Sequence, residues 1–136
     1  MLLDEIASLL QTAGIGTLGS SLFKGQIPLD TPTTVETALV ALLEIPGLPP
    51  LRSHDSPPSR IGQPVVQVVS RGAPYGYVAA RQKAHEAWMA LDGVCNQTLS
   101  GTEYLFIQAL QDPFLLKIDE MHRPYLVFSA RCQRAA

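Results

Sequence analysis

The sequence is short of charge. Only 16% of its 136 residues are Asp, Glu, Lys or Arg, against roughly a quarter in an average soluble domain. A surface this poor in charge is either covered by partners or only modestly soluble alone, a first pointer to an assembly protein. Basic residues are in no excess: net charge is −2 and pI about 5.8, which leaves no electrostatic footprint for tight nucleic-acid binding. Long apolar runs are missing as well. The stretch Ala38 to Leu43 is far too short to span a bilayer, and Met1-Leu2-Leu3 runs at once into Asp4 and Glu5, the wrong charge for a secretory signal. The expectation is a protein that folds in the cytoplasm. Two cysteines, Cys95 and Cys132, make neither a disulfide framework nor a metal spacing, and each reads as a small core residue.

Catalytic and cofactor motifs are equally scarce. There is no GxxxxGK[ST] phosphate loop and no HExxH metal site. Gly14, Gly16 and Gly19 do spell G-x-G-x-x-G, but a dinucleotide fingerprint needs a strand before it and a helix after it. Here the order is reversed, so the glycines read as a helix-to-strand turn. His54 and Asp55 could be drawn as a base and its orienter, yet Ser53 and Ser56 lack the glycine-bounded elbow that exposes a nucleophile. Asp119-Glu120 has too few ligands for a calcium loop. Tyr75 and Tyr77 with Arg71 and Arg81 lack the basic surround of a base-stacking platform. The expectation is no enzyme, no cofactor and no metal.

What is present is organised around Gly62 to Gly93. Pro64 to Ser70 reads as a short buried strand with β-branched valines at four positions. The segment after it carries Tyr77, Arg81, Ala84, Trp88 and Leu91 at helical intervals, with Gly93 suited to the left-handed position that ends a helix. A strand feeding such a helix must lay it back across its own sheet to bury Trp88. Met1 to Ala13 is a second amphipathic helix, with Leu2, Leu3, Ile6, Leu9, Leu10 and Ala13 on the apolar stripe. Asp4 and Glu5 fall off the stripe, in the first turn where the dipole favours acids. Ser21 to Ile27 reads as a short strand. Thr33 to Ile45 is balanced between helix and strand, and strand is chosen because the buried valine strand needs a neighbour. Val94 to Leu99 and Thr102 to Leu110 make a hairpin about Ser100-Gly101, the second strand having both faces largely apolar. Phe114 to Ile118 and Tyr125 to Cys132 make a last hairpin about Asp119 to Pro124. In its final strand Leu126, Phe128, Ala130 and Cys132 share a core face, while Tyr125, Val127, Ser129, Arg131 and Gln133 share a wet face or one that meets a neighbour.

Gly47 to Gly62 is of another kind. Six of the eleven prolines lie from Pro46 to Pro64, counting both ends. A loop this long inside a compact domain is usually functional or disordered, and prolines lower the entropy lost when it docks. It reads as a partner-binding arm.

The order of these features is familiar: MLLDEIASLL…GIGTLG, the GLPPLRSHDSP loop, VQVVSRG with the helix YVAARQKAHEAWMALDG, the LSGTEYLFIQALQDPF hairpin and a terminal DEMHRPYLVFSARCQ strand. The chain resembles the bacteriophage minor capsid proteins that are similar to tail terminators of long-tailed phages. The resemblance runs over nearly its whole length, departing at Thr31 to Thr37. The length gives a single domain over 1–136, with the proline-rich loop at 47–63, and the resemblance implies α+β class: a mixed, mainly antiparallel sheet with two helices on one face. It also implies a virion protein of the neck, assembled in the host cytoplasm into a ring of six copies. Such a ring caps the tail tube, joins tail to head, meets the tube protein and a neck or head-completion protein, and lets DNA pass without binding it specifically. A ring closes when one patch meets a different patch on the next copy. Arg81 and His85 on the second helix, and Arg131 and Gln133 on the final strand, are the expected ring contacts. Arg52, His54 and Arg60 in the proline loop and Glu120, His122 and Arg123 in the last hairpin turn are the expected docking residues.

Two other classes fit the composition. One is a small α/β ligand-binding or regulatory domain with a pocket between sheet and helices; the other is a small hydrolase using His54 and Asp55.

Overall fold

The computed structural model describes residues 2–27, 38–52 and 60–135. Two helices, α1 (Leu2–Thr12) and α2 (Tyr77–Leu91), pack on one face of a seven-stranded sheet. The strands are β1 (Leu22–Lys24), β2 (Ala38–Arg52), β3 (Arg60–Gly72), β4 (Cys95–Leu99), β5 (Thr102–Ala109), β6 (Phe114–Ile118) and β7 (Pro124–Ala135). Their order is β1-β2-β3-β7-β5-β4, with β6 paired to β7 off this path. Among the described residues, β1 and β2 are the one parallel pair of strands; every other pair is antiparallel. This is the expected α+β class with a mixed sheet.

The choice of strand over helix for the Thr33–Ile45 run holds from Ala38 onward; residues 33–37 lie outside the described residues. Val40 and Leu42 are fully buried on the helix side, which is where β-branched and leucine side chains of an interior strand belong. The core they join contains Ile6 and Leu10 of α1, Val66 and Val68 of β3, Leu91 of α2 and Phe128 of β7. The expected inward set on β7 is observed: Leu126, Phe128, Ala130 and Cys132 are all fully buried.

Several expectations are corrected. On α2 the buried residues are Ala80, Ala84, Ala87 and Leu91, while Tyr77 is exposed and Trp88 only half-buried. The stripe is turned by about one residue, because small alanines let the helix approach the sheet closely and leave no room beneath it for an indole. Trp88 lies at the rim, its Nε1 donating to the Gln111 carbonyl at 3.2 Å and its ring stacked on His85. Gly93 does take the left-handed position, at φ +88°.

In β5 the alternation breaks between Tyr104 and Phe106. That bulge puts Tyr104 and Ile107, three residues apart, into the same core. Cys95 is exposed, unlike Cys132, since β4 is an outer strand. On β7 the face read as wet is partly covered: Val127 and Ser129 are buried, Val127 in a small second cluster with Ile27, Leu39, Ala41 and Val69.

Glu5 departs furthest from expectation. It is not a solvated first-turn acid but a buried one, 2% exposed. Thr102 Oγ1 and Tyr104 OH each donate to it at 2.9 Å, and Arg134 Nη1 at 3.2 Å. Burial alone would raise the Glu5 pKa; these hydrogen bonds and the Arg134 charge outweigh it and leave the carboxyl below its ordinary value. The same burial, with the carboxylate beside it, pushes the Tyr104 phenol well up. One carboxylate thus ties α1 to β5 and β7.

Candidate functional site

The stretch expected as a proline-rich loop at 47–63 is mostly strand. β2 continues to Arg52 and β3 begins at Arg60, so the two form a hairpin arm. The prolines explain how. Pro46, Pro49 and Pro50 cannot donate to a ladder, and the register shifts fall between Ile45 and Leu48 and between Leu48 and Leu51, around them. The arm's base is pinned by side chains: Gln63 Nε2 donates to the Pro49 carbonyl at 2.8 Å, and Gln133 Nε2 donates to Gln63 Oε1 at 2.9 Å. On the arm Leu48 and Leu51 are exposed by 50% and 49%. Arg52 and Arg60 are exposed and stand directly opposite each other. His54, with Asp55, lies outside the described residues.

At the far end of the same sheet is the β6–β7 turn. Asp119 organises it. Its Oδ1 accepts the backbone N–H groups of Met121 and Arg123, both at 2.9 Å, and its Oδ2 accepts from Arg123 Nε at 2.7 Å and Tyr125 OH at 3.1 Å. Partial burial works against ionisation here, but these donors lower the carboxyl to about pKa 2. With those oxygens engaged, Asp119 is a turn former rather than a cation ligand. Arg123 is buried in this ion pair, so it shapes the turn and presents little to a partner. Glu120 and His122 are exposed. His122 has φ +62° and so does Tyr75, whose N–H donates to the His122 carbonyl at 2.9 Å while the rings stack 4.9 Å apart. Two strained residues hold each other in place, and of the two Tyr75 is 78% exposed.

The four expected ring residues divide between the two sides of the sheet. Arg81 and His85 line a shallow groove on α2 with Gln82 and Glu86. Arg131 and Gln133 lie on the opposite face of the sheet, where Arg131 Nη2 donates to Gln108 Oε1 at 3.2 Å and its guanidinium lies over the Phe106 ring.

Sequence reasoning missed the most exposed apolar element. All five residues of β6 are exposed, among them Phe114, Leu115, Leu116 and Ile118 at 43–58%. This strand pairs with Val127 to Pro124 of β7 on one side, and its other edge is unpaired among the described residues. The available signal was FLLKI itself, apolar at consecutive positions rather than alternating, as if both its faces were to be covered.

Among the described residues no three His, Cys, Asp or Glu cluster to hold a metal, and no helix is long and apolar enough to cross a membrane. The family model described as bacteriophage tail terminator protein matches residues 9–135. The chain belongs to the tail terminator family. These are structural proteins of the phage virion. The fold is also that of a chain in a solved structure titled "Virion of native gene transfer agent (GTA) particle", at TM-score 0.54 and 16% identity, covering 96% of this chain and 84% of that one. The comparison with curated proteins gives no match.

Proposed function

We propose that this terminator assembles into a ring, of six copies, that caps the tail tube at its head-proximal end and joins tail to head. The match to tail terminators over residues 9–135 carries this reading. Ring closure requires unlike patches to meet at a repeating angle. The residues on α2 (Arg81, His85) and on the opposite sheet face (Arg131, Gln133) supply unlike borders. A cap stops growth when one ring face fits the tube subunit and the other does not. The exposed members of the docking set, Arg52, Arg60, Glu120 and His122, lie at the two ends of the sheet. The partners are the tube protein and a neck or head-completion protein, with DNA passing through a lumen that a net charge of −2 leaves free of strong attraction.

The test has two parts. Electron micrographs of the purified protein at high concentration should show closed rings. Particles produced without the protein should carry overlong tails that fail to join heads. A monomer at high concentration together with normal tails joined to heads would end the proposal.

A further inference from the structure

Two exposed apolar stretches are not explained by the packing of the chain on itself. The first is the arm, with Leu48 and Leu51 exposed and Arg52 facing Arg60 across one rung. Like charges directly opposite destabilise a ladder, and neither arginine has an ion-pair partner among the described residues. The second is β6, whose apolar edge is bracketed by Asp112 and Glu120. Both acids are exposed, and neither is paired among the described residues. The β3–β7 ladder fixes where the two stretches sit. Ile61 faces Ala135 at the arm end, and Arg71 faces Tyr125 at the β6 end. They lie at opposite ends of the sheet and cannot cover each other within one chain.

We propose that the arm of one copy lies along the free edge of β6 in the next copy. The inference rests on the ring reading and moves Arg52, Arg60 and Glu120 from the docking set to a contact between neighbouring copies, beside the borders at Arg81, His85, Arg131 and Gln133. The lengths agree: Leu48 to Arg52 and Phe114 to Ile118 are five residues each, about 17 Å of strand. The chemistry agrees too. Leu48 and Leu51 meet Phe114, Leu115, Leu116 and Ile118, and the tip arginines meet an acid bracketing β6, which relieves the Arg52–Arg60 opposition. Prolines 46, 49 and 50 withhold backbone donors, so the contact runs through side chains rather than a continuous ladder, which keeps the arm from pairing with any open strand. Because the patches are unlike and lie at opposite ends, the contact repeats head to tail and can close.

Two charge-reversed variants test this by sedimentation and electron microscopy. One is Arg52→Glu with Arg60→Glu; the other is Asp112→Lys with Glu120→Lys. Each alone should keep the wild-type unfolding transition and lose rings, with association weakened about 100-fold, the scale of a buried interface anchor. Mixed in equal amounts they should form rings again, since each reversed patch now meets its opposite. Leu48→Ser with Leu51→Ser is a second arm variant and should also lose rings while folding normally. Rings from the arm variants alone, or no recovery on mixing, would overturn the arm contact and leave the ring reading standing. A wild-type chain that never forms rings would overturn both.

Discussion

β4 and β6 are both five-residue strands at open borders of the same sheet, and they could hardly differ more in composition. β4 reads Cys-Asn-Gln-Thr-Leu and leaves its first four residues in water, while β6 reads Phe-Leu-Leu-Lys-Ile and leaves all five there. Open strand edges are hazards that proteins blunt with polar or charged side chains. β4 is blunted. β6 is not, and it retains a row of large apolar side chains that a solitary protein has no reason to expose. Under the proposed arm contact, the contrast separates a border left to solvent from one that the next copy covers.

The largest effect should come from loosening the solvent-facing border from within. Glu5 holds Thr102 and Tyr104 of β5, the strand that carries β4, to α1. Glu5→Ala would leave Arg134 and Tyr104 without their carboxylate and should cost about 3–5 kcal/mol in urea denaturation, as for other broken buried pairs. Next, Leu115→Lys with Leu116→Lys on β6 should abolish association, while Asn96→Lys with Thr98→Lys on β4 should leave it unchanged. Equal losses from both pairs, seen by sedimentation, would erase the distinction drawn here. Asp119→Ala, which unravels the turn below β6, should cost about 2 kcal/mol, the scale of hydrogen bonds to a charged group. Because folding lowers the Asp119 pKa from 3.8 to about 2, its contribution is present above pH 3.8 and fades as pH falls towards 2; Glu5 acts in the same direction. Wild type should therefore lose stability over that window, and Asp119→Ala should lose less. The smallest effect is a labelling difference. Cys95 on β4 should react with a thiol reagent in native protein and in rings alike. Cys132, buried with its thiol raised to about 12, should react only on unfolding.

Much of the fold was legible in the sequence because most elements carry a local period. β7 places Leu126, Phe128, Ala130 and Cys132 at every second position, and that buried face is legible residue by residue, although Val127 and Ser129 opposite are covered too. The hairpin at Ser100-Gly101 was legible from its turn, where both residues take positive φ. What local patterns could not reveal were features set by distant partners. Glu5 looks like any first-turn acid until Thr102, Tyr104 and Arg134 arrive from the other end of the chain. The bulge after Tyr104 breaks a regular alternation. The arm reads as loop because proline argues against strand, yet β3 supplies a partner long enough to carry β2 past its prolines. Of the proposed assembly surface, the charges are legible in the sequence and the apolar rows are not: Leu48 and Leu51 sit among prolines, and FLLKI reads only as one strand of a hairpin.

One strand, β7, serves two neighbours along a single border: β6 beside its first half and β5 beside its second. Angular errors add up around any closed circle of subunits, so the outward rim must be aimed as accurately as the interior is packed. Sharing that border makes the aim automatic. In the proposed ring, Phe128, set deep in the core, fixes the alignment of the same strand that holds Leu115 out towards the next molecule.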